Sequence, residues 1–249
     1  MQQYSDIEFM RVFHALVITY QAKDRAVYYF FKRILDIVGA ATILILMLPL
    51  ITIIAILIRI DSPGPVFFIQ NRVSAKRIIK NGNLYWQKII FPCVKFRTMF
   101  HNVDSDLHKS FVRALINNDQ EEMNKIQKGV NKVKKLANDP RVTRVGWYLR
   151  RSSLDEIPQL FNILKGDMSL VGPRPAIPYE VEMYKPSYYH RLDVKAGLTG
   201  LWQVVARSSA DYDEMVKLDV QYVDNQSFWL DLNILFKTPF VVLSRKGAV

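Results

Sequence analysis

Between Ile37 and Ile58 the chain carries no charged residue, reading IVGAATILILMLPLITIIAILI. As a straight helix this run would be about 33 Å long, enough to cross the hydrocarbon core of a bilayer. It starts too far from Met1 for a tidy signal peptide, and no small-residue cleavage pattern follows it, so it is expected to be retained. Lys32 and Arg33 precede the run and Arg59 follows it; residues 1–33 hold five Lys/Arg against three Asp/Glu, and the remainder is more basic still. The positive-inside rule therefore assigns both flanks to the cytoplasm. A helix that enters the bilayer, bends at Pro49 and returns satisfies that rule. A single spanning helix that tolerates Pro49 is the competing reading.

The rest of the chain is long enough to bury a core of its own: 249 residues, half of them hydrophobic, which excludes disorder as the main state. A formal net charge of +11 asks for an anionic partner, whether nucleic acid, acidic lipid or phosphorylated substrate. The basic residues are dispersed and form no nucleic-acid-binding motif, so nucleic acid drops out. Cys93 is the one cysteine, which excludes an internal disulfide and a multi-cysteine metal site. His14, His101, His108 and His190 lack zinc spacing, and there is no Walker loop, GxGxxG or GxSxG.

Residues 1–30 have an amphipathic helical pattern in Ile7, Met10, Phe13, Val17 and Tyr20, and Phe30-Phe31 beside Lys32-Arg33 reads as an interfacial anchor. Asp61-Ser62-Pro63-Gly64-Pro65 is a turn. Val66–Gln70 and Val94–Arg97 are short β-like runs, with Asn81-Gly82 placed to turn a hairpin between them. Asp104–Leu136 has helical period and ends at Asp139-Pro140. Phe228–Leu243 is apolar and aromatic, suited to a core, a bilayer surface or a homodimer contact.

The chemistry concentrates in Arg150–Pro175, RRSSLDEIPQLFNILKGDMSLVGPRP. Ser153-Leu154-Asp155-Glu156 is a capping-box pattern opening a helix with Ile157, Leu160, Phe161 and Leu164 on its buried face and Gly166 at its end. The same geometry has a functional reading. Carboxylates at a helix start are kept ionised by free N–H groups and the positive end of the dipole. An ionised Asp155 is a usable nucleophile, and Glu156 beside it is suited to hold a metal ion or move a proton. Arg150 and Arg151, within a helical turn, are placed to bind phosphate oxygens. Arg174 sits between two prolines in Gly172-Pro173-Arg174-Pro175, a stiff loop suited to clamping a phosphate or, more plainly, a rigid surface turn. Lys95-Phe96-Arg97 places two cations on one face of a strand, a pattern also ordinary for a solvated edge.

Taken in order, these segments resemble the monotopic phosphoglycosyl transferases, a family of bacterial sugar transferases. The matching stretches are Lys32-Arg33-x-x-Asp36, Asp61-Ser62-Pro63-Gly64-Pro65-Val66-x-Phe68-x-Gln70-x-Arg72, Lys95-Phe96-Arg97-Thr98-Met99, and Asp139-Pro140-Arg141-Val142-Thr143. They continue through Ser153-Leu154-Asp155-Glu156-x-Pro158-Gln159-Leu160, Lys165-Gly166-Asp167-Met168-Ser169-x-Val171-Gly172-Pro173-Arg174-Pro175 and Gly197-Leu198-Thr199-Gly200-Leu201-Trp202-Gln203-Val204. Ser74 and Ala75 stand where the family often has glycine, and Ala196 and Ala206 where proline and glycine are usual, which implies locally different loops.

The resemblance implies an α+β, mostly helical fold: a re-entrant membrane helix with a cytoplasmic catalytic domain, interfacial amphipathic helices and a small β element. Its expected divisions are an N-terminal segment 1–30, a membrane helix 31–62 broken near Pro49 and flanked by Lys32, Arg33, Ser62 and Pro63, and a transferase domain 63–249. It further implies transfer of a sugar 1-phosphate from a UDP-sugar to polyprenyl (undecaprenyl) phosphate, with release of UMP, at the cytoplasmic face of the bacterial inner membrane. That would be the first membrane step of a surface glycan or exopolysaccharide pathway. Asp155 would be the nucleophile of a ping-pong reaction through a covalent phosphosugar-aspartate. Glu156 would assist it, with Mg²⁺ as cofactor on Asp155 and Glu156. Arg174, Arg97, Lys95, Arg144, Arg151, Gln203 and Arg207 would serve the phosphates and substrate. The alternatives kept open are a membrane-anchored nucleotide-sugar hydrolase and a non-catalytic lipid-binding scaffold.

Overall fold

The computed structural model describes residues 20–21, 25–101, 106–126, 139–206 and 210–244. Most of the amphipathic segment 1–30, residues 104–105 and 127–136 of the expected helix 104–136, and Arg207 lie outside these residues. Within them the chain is mostly helical with two small sheets, as the α+β expectation has it.

The apolar run lies within one long helix, α1 (Ala26–Asp61), which contains Pro49. Helical residues run on both sides of Pro49, whose missing N–H and ring clash with the carbonyl one turn back mark the place where such a helix bends. At about 1.5 Å per residue the path along α1 is roughly 54 Å, more than one crossing of a hydrocarbon core needs. Its middle exposes Ile45, Leu46, Leu48, Ile53 and Ile56. Both of its ends are bound to the same folded body. Near the start, Lys32 Nζ donates to Val171 O, to Tyr222 Oη and to Asp231 (2.8 Å), and Asp36 accepts from Ser169 Oγ and Leu170 N. Arg33 donates to the carbonyls of Ile163 and Leu164 at 2.7 Å. At the far end Ile54 and Ile58 pack with Phe96 and Leu149. Lys32 and Arg33 are therefore spent inside the protein, while Phe30 and Phe31 beside them stay exposed.

The chain leaves α1 through Ser62-Pro63-Gly64. Gly64 has φ +121°, and a Cβ there would run into the Arg97 guanidinium, so the position needs glycine twice over. A hairpin follows: β2 (Phe67–Lys80) antiparallel to β3 (Asn83–Phe96), turned at Asn81-Gly82, both with positive φ. The turn falls where expected, but the strands run unbroken between the two short runs. Their middles mix charged and apolar residues without clean alternation, yet every position from Phe67 to Lys80 pairs in register. A two-residue strand β1 (Tyr20–Gln21) adds to β3 at Tyr85 and Trp86. Tyr20 is thus in a strand rather than on a helical face, because β3 offers an open edge there.

Helices α2 (Asp106–Ile116) and α3 (Gln120–Ile126) replace the single expected helix, divided at Asn118, which adopts a left-handed conformation. Helix α4 (Arg144–Ser152) is capped by Thr143, whose side chain accepts from Gly146 N, and by Asp61, which accepts from Val145 N. After a 3₁₀ turn at Leu154–Glu156 comes α5 (Gln159–Lys165). Short strands β4 (Ser169–Val171) and β5 (Gly197–Thr199) pair in parallel, bracketing α6 (Pro178–Val181) and a 3₁₀ segment at Pro186–Leu192. Helices α7 (Leu201–Val205), α8 (Tyr212–Asp224) and α9 (Phe228–Leu243) complete the described fold.

Two apolar clusters hold this body together. One joins Val73 of β2, Ile116, Val181, Leu192 and Val216; the other joins Ala40 of α1, Phe91, Leu160, Ile163, Met168 and Ile234. Ser74 and Ala196, which depart from the resembled pattern, compensate each other. Ser74 Oγ donates to Asp167 O and accepts from Ala196 N, a donor that a proline at 196 would lack. In α9, Asp231 and Ile234 face the interior, and Trp229, Phe236, Phe240 and Leu243 form an exposed stripe at helical spacing.

Candidate active site

The site begins with the hairpin. Cross-strand register puts Arg72 of β2 and Lys95 of β3 on the same sheet face. On the edge of β3 away from β2, no strand among the described residues pairs at Pro92–Val94. There Asn162 of α5 stands in for one: its Nδ2 donates to Pro92 O and its Oδ1 accepts from Val94 N. This clip fixes α5, and with it the preceding turn Leu154–Glu156, against Lys95.

Asp155 and Glu156 do not open an α-helix. Ser153 takes a left-handed conformation (φ +59°) to end α4, so it is not the cap of a following helix, and α5 starts only at Gln159 with Pro158 at its cap. The carboxylates are held by a 3₁₀ turn and by neighbouring cations instead of a helix dipole. Lys95 Nζ donates to Glu156 Oε1 at 2.7 Å, and the Arg174 guanidinium lies 3.4 Å from the same oxygen. Burial alone would raise Glu156, but Lys95 and Arg174 outweigh it and hold the carboxyl down at about 2. Asp155 goes the other way: burial, reinforced by the negative Glu156, pushes it up to about 6 against the pull of Lys95, Arg150 and Arg174. The two adjacent carboxyls are thus pushed in opposite directions, Glu156 down by its cations and Asp155 up by burial and by Glu156.

A small cleft opens beside this pair, lined by Arg72, Lys95, Glu156, Gln159, Arg174, Pro175, Gly197 and Leu198. Arg72 is buried; it donates to Pro175 O at 2.9 Å and to Gln70 Oε1 at 2.7 Å, while its Nε has no protein partner. Three cations, Arg72, Lys95 and Arg174, therefore line the cleft with one carboxylate, Glu156, leaving positive charge for an anionic ligand. The loop carrying Arg174 reaches the cleft because Gly172 and Gly197 touch backbone to backbone: a Cβ on Gly197 would lie 2.1 Å from Gly172 N.

Of the residues proposed from sequence, Asp155, Glu156, Lys95 and Arg174 come together here. Gln203 is adjacent through its bond to Leu198 O, and its buried Oε1 has no protein partner. Arg97 does not join them. β3 ends at Phe96, and the Arg97 side chain turns to the end of α1, donating to the carbonyls of Ile58, Ser62 (2.7 Å) and Pro63. These carbonyls lie in the last turn of α1 and in the turn that leaves it; Ile58 O also accepts from Ser62 N. Arg144 and Arg151 lie on the exposed face of α4, where Arg151 stacks on the Trp147 ring at 5.0 Å; Arg150, on the inner side, donates to Thr98 Oγ1. Arg72 and Gln159 were missed. The signal for Arg72 was the alternation Phe68-x-Gln70-x-Arg72, which in register faces Lys95, Cys93 and Phe91 and so shares a sheet face with Lys95.

Among the described residues no cluster of three or more Asp, Glu, His or Cys could hold a metal by itself. Asp155 and Glu156 are two hard oxygen donors in one turn. That set fits Mg²⁺, an ion usually held by one or two carboxylates together with substrate phosphates.

Two features stand out in this α+β body: a long, exposed apolar helix rooted at both ends, and an acidic pair beside cations. The sequence profile described as Bacterial sugar transferase matches residues 27–245, and the chain belongs to that family. It is 43% identical over 219 residues to the undecaprenyl-phosphate galactose phosphotransferase of Salmonella typhimurium, covering 88% of this chain and 42% of that protein. It is 42% identical over 215 residues to the exopolysaccharide production protein ExoY of Rhizobium meliloti, covering 86% of each. It is 36% identical over 225 residues to the UDP-glucose:undecaprenyl-phosphate glucose-1-phosphate transferase of Caulobacter vibrioides, covering 87% of this chain and 71% of that protein. The chain thus spans less than half the length of some relatives it matches and nearly all of another's.

Proposed function

We propose that this protein transfers a sugar 1-phosphate from a UDP-sugar to undecaprenyl phosphate in an exopolysaccharide or surface-glycan pathway. The observation that carries the reading is the Asp155–Glu156 turn, set against Lys95, Arg72 and Arg174, in a member of the sugar transferase family. In the first half-reaction an Asp155 carboxylate oxygen attacks the β-phosphorus. The bond from that phosphorus to the bridging oxygen breaks, and UMP leaves with the oxygen. The sugar phosphate remains on Asp155 as an acyl phosphate. In the second half-reaction a phosphate oxygen of undecaprenyl phosphate attacks the same phosphorus and frees the Asp155 carboxylate.

The chain's own groups supply what phosphoryl transfer asks for, which is positioning and charge neutralisation. Arg72, Lys95 and Arg174 bind the diphosphate oxygens. Glu156, ionised throughout, keeps Lys95 and Arg174 oriented toward the turn. Asp155 is largely ionised at neutral pH and so available for attack. Mg²⁺ held by Asp155 and Glu156 would neutralise charge on the diphosphate.

The membrane part of the reading is re-entrance: α1 enters and leaves on the cytoplasmic face of the inner membrane. What supports it is that Lys32, Arg33 and Asp36 near one end, and Ile54, Ile58 and the Arg97-bound carbonyls at the other, are all seated on one body. A helix with its ends on opposite sides of a bilayer could not have both so held. The exposed stripe of α9 and the aromatics Trp147 and Tyr148 of α4 suit the headgroup region. Tags before Gln21 and after Val249 are then labelled from the same face; labelling from opposite faces refutes re-entrance.

The test of the chemistry uses nanodisc-embedded protein, Mg²⁺ and UDP-galactose, UDP-glucose or UDP-N-acetylgalactosamine, without acceptor lipid. A sugar-phosphate adduct on the peptide containing Asp155, with stoichiometric UMP, supports the covalent route. UMP appearing only after lipid is added replaces it with direct transfer, with Asp155 as ligand or base. Free sugar phosphate without lipid favours the hydrolase.

A further inference from the structure

The Gly172-Pro173-Arg174-Pro175 loop has few N–H groups to fasten it, since two of its residues are prolines. It is fastened through its carbonyls instead. Pro173 O accepts from Gly197 N (2.8 Å), Pro175 O from Arg72 Nη1 (2.9 Å) and Ala176 O from Val73 N (2.8 Å). The remaining one, Arg174 O, accepts from Arg191 Nη2 at 3.3 Å. Arg191 comes from the 3₁₀ segment Pro186–Leu192 and is 2% exposed, so it has no access to a ligand in the cleft. Its own orientation is set on the other side. Nε and Nη2 both donate to Asp219 Oδ2 of α8 (3.0 and 2.6 Å), and Nη1 donates to Tyr184 Oη (2.7 Å).

We propose that Arg191, oriented by Asp219, is a positioning residue for Arg174: it holds the Arg174 carbonyl so that the guanidinium reaches the Glu156 side of the cleft. Three features separate this from ordinary core packing. A buried guanidinium is a costly way to fill space unless its donors are used. Its fork satisfies a carboxylate and a loop carbonyl together, which the point charge of a lysine cannot reproduce. Arg72, which holds the next carbonyl, lines the cleft itself, whereas Arg191 can act on the reaction only through Arg174. The inference rests on Arg174 serving the phosphates in the transferase reading above.

The experiment pairs Arg191→Lys with Arg174→Ala in the full-length protein in nanodiscs. It uses whichever of UDP-galactose, UDP-glucose and UDP-N-acetylgalactosamine the wild type turns over. Arg191→Lys is expected to lower the rate of UMP release about tenfold in the wild-type background and less than about twofold in the Arg174→Ala background, the non-additivity of a shared route. Equal losses in both backgrounds, or no loss in either, overturn the proposal. Hydrogen exchange supplies a readout that does not need turnover. Residues 172–177 should exchange about tenfold faster in Arg191→Lys, with α8 and the hairpin unchanged. Unchanged exchange there overturns the fastening. If Arg191→Lys does not fold, Asp219→Asn takes its place, with a smaller effect of the same pattern. A wild type that turns over no donor counts against the transferase reading, while the exchange data still decide whether Arg191 fastens the loop.

Discussion

Lys95 and Arg97 are two residues apart and belong to two different machines. Lys95 joins Arg72 and Arg174 in a cleft where three cations face Glu156, next to Asp155 in the chain, and Arg72 Nε is left without a protein partner. Arg97 joins the group at the roots of α1. There Lys32 is spent on Asp231, Val171 O and Tyr222, Arg33 on two carbonyls of α5, and Arg97 itself on the carbonyls of Ile58, Ser62 and Pro63. Both regions are basic, and both look alike in the linear sequence. They differ in whether the charge is satisfied internally. The roots use it to seat a helix of which much is bare, whereas the cleft retains it for a ligand.

The largest effect that can break this contrast is at Asp155. Asp155→Asn keeps shape and removes the nucleophile, and it should reduce UMP release by more than about 10⁴-fold with the melting temperature unchanged. Retained activity would reduce the cleft to a structural feature. Lys95→Met comes next: losing the ion pair to Glu156 should cost about 10²-fold in kcat/KM. It should also move the acid limb of the rate profile to higher pH, because Lys95 is the main cation opposing protonation of Asp155. An unchanged limb would mean that Lys95 is spent as Arg97 is.

The cleft was legible to the extent that its residues lie in short, chemically explicit segments. Asp155-Glu156, an arginine between prolines and Lys95 on a strand face are each open to a plain structural reading, and the ordered family resemblance is what turned them toward phosphate chemistry. Arg72 was not legible, because its role depends on the pairing of β2 with β3, a relation between distant residues. Arg97 was misread for a local reason: alternation was carried one residue past the end of the strand, where the C-terminal carbonyls of α1 compete for the side chain. The capping-box reading failed at Ser153, since one left-handed residue ended α4 and left the carboxylates in a 3₁₀ turn. The apolar run was legible as a membrane element, but the seating of both its ends depends on contacts such as Lys32–Asp231, far apart in the chain.

The pH dependence is a smaller lever on the same contrast. Because Asp155 is raised to about 6 and must lose its proton to attack, UMP release should be nearly flat above pH 7. Below about pH 6 it should fall tenfold per unit, with Glu156 still ionised. A rate unaffected by pH down to 5 would mean that protonation of Asp155 does not govern the step.

The smallest effect on catalysis, and the sharpest test of the division between the two regions, is Arg97→Ala. If Arg97 belongs to the helix root, its loss strips three carbonyls of a buried charged donor, and the protein should be destabilised by about 2 kcal/mol. The folded fraction should keep kcat and KM for the UDP-sugar within about threefold, since the cleft cations are untouched. Thermal melting in nanodiscs and initial rates measured well below the transition separate the two quantities. A 10²-fold loss of kcat at unchanged stability, as for Lys95, would return Arg97 to the phosphates. The carbonyl contacts at the end of α1 would then be a resting arrangement that substrate displaces.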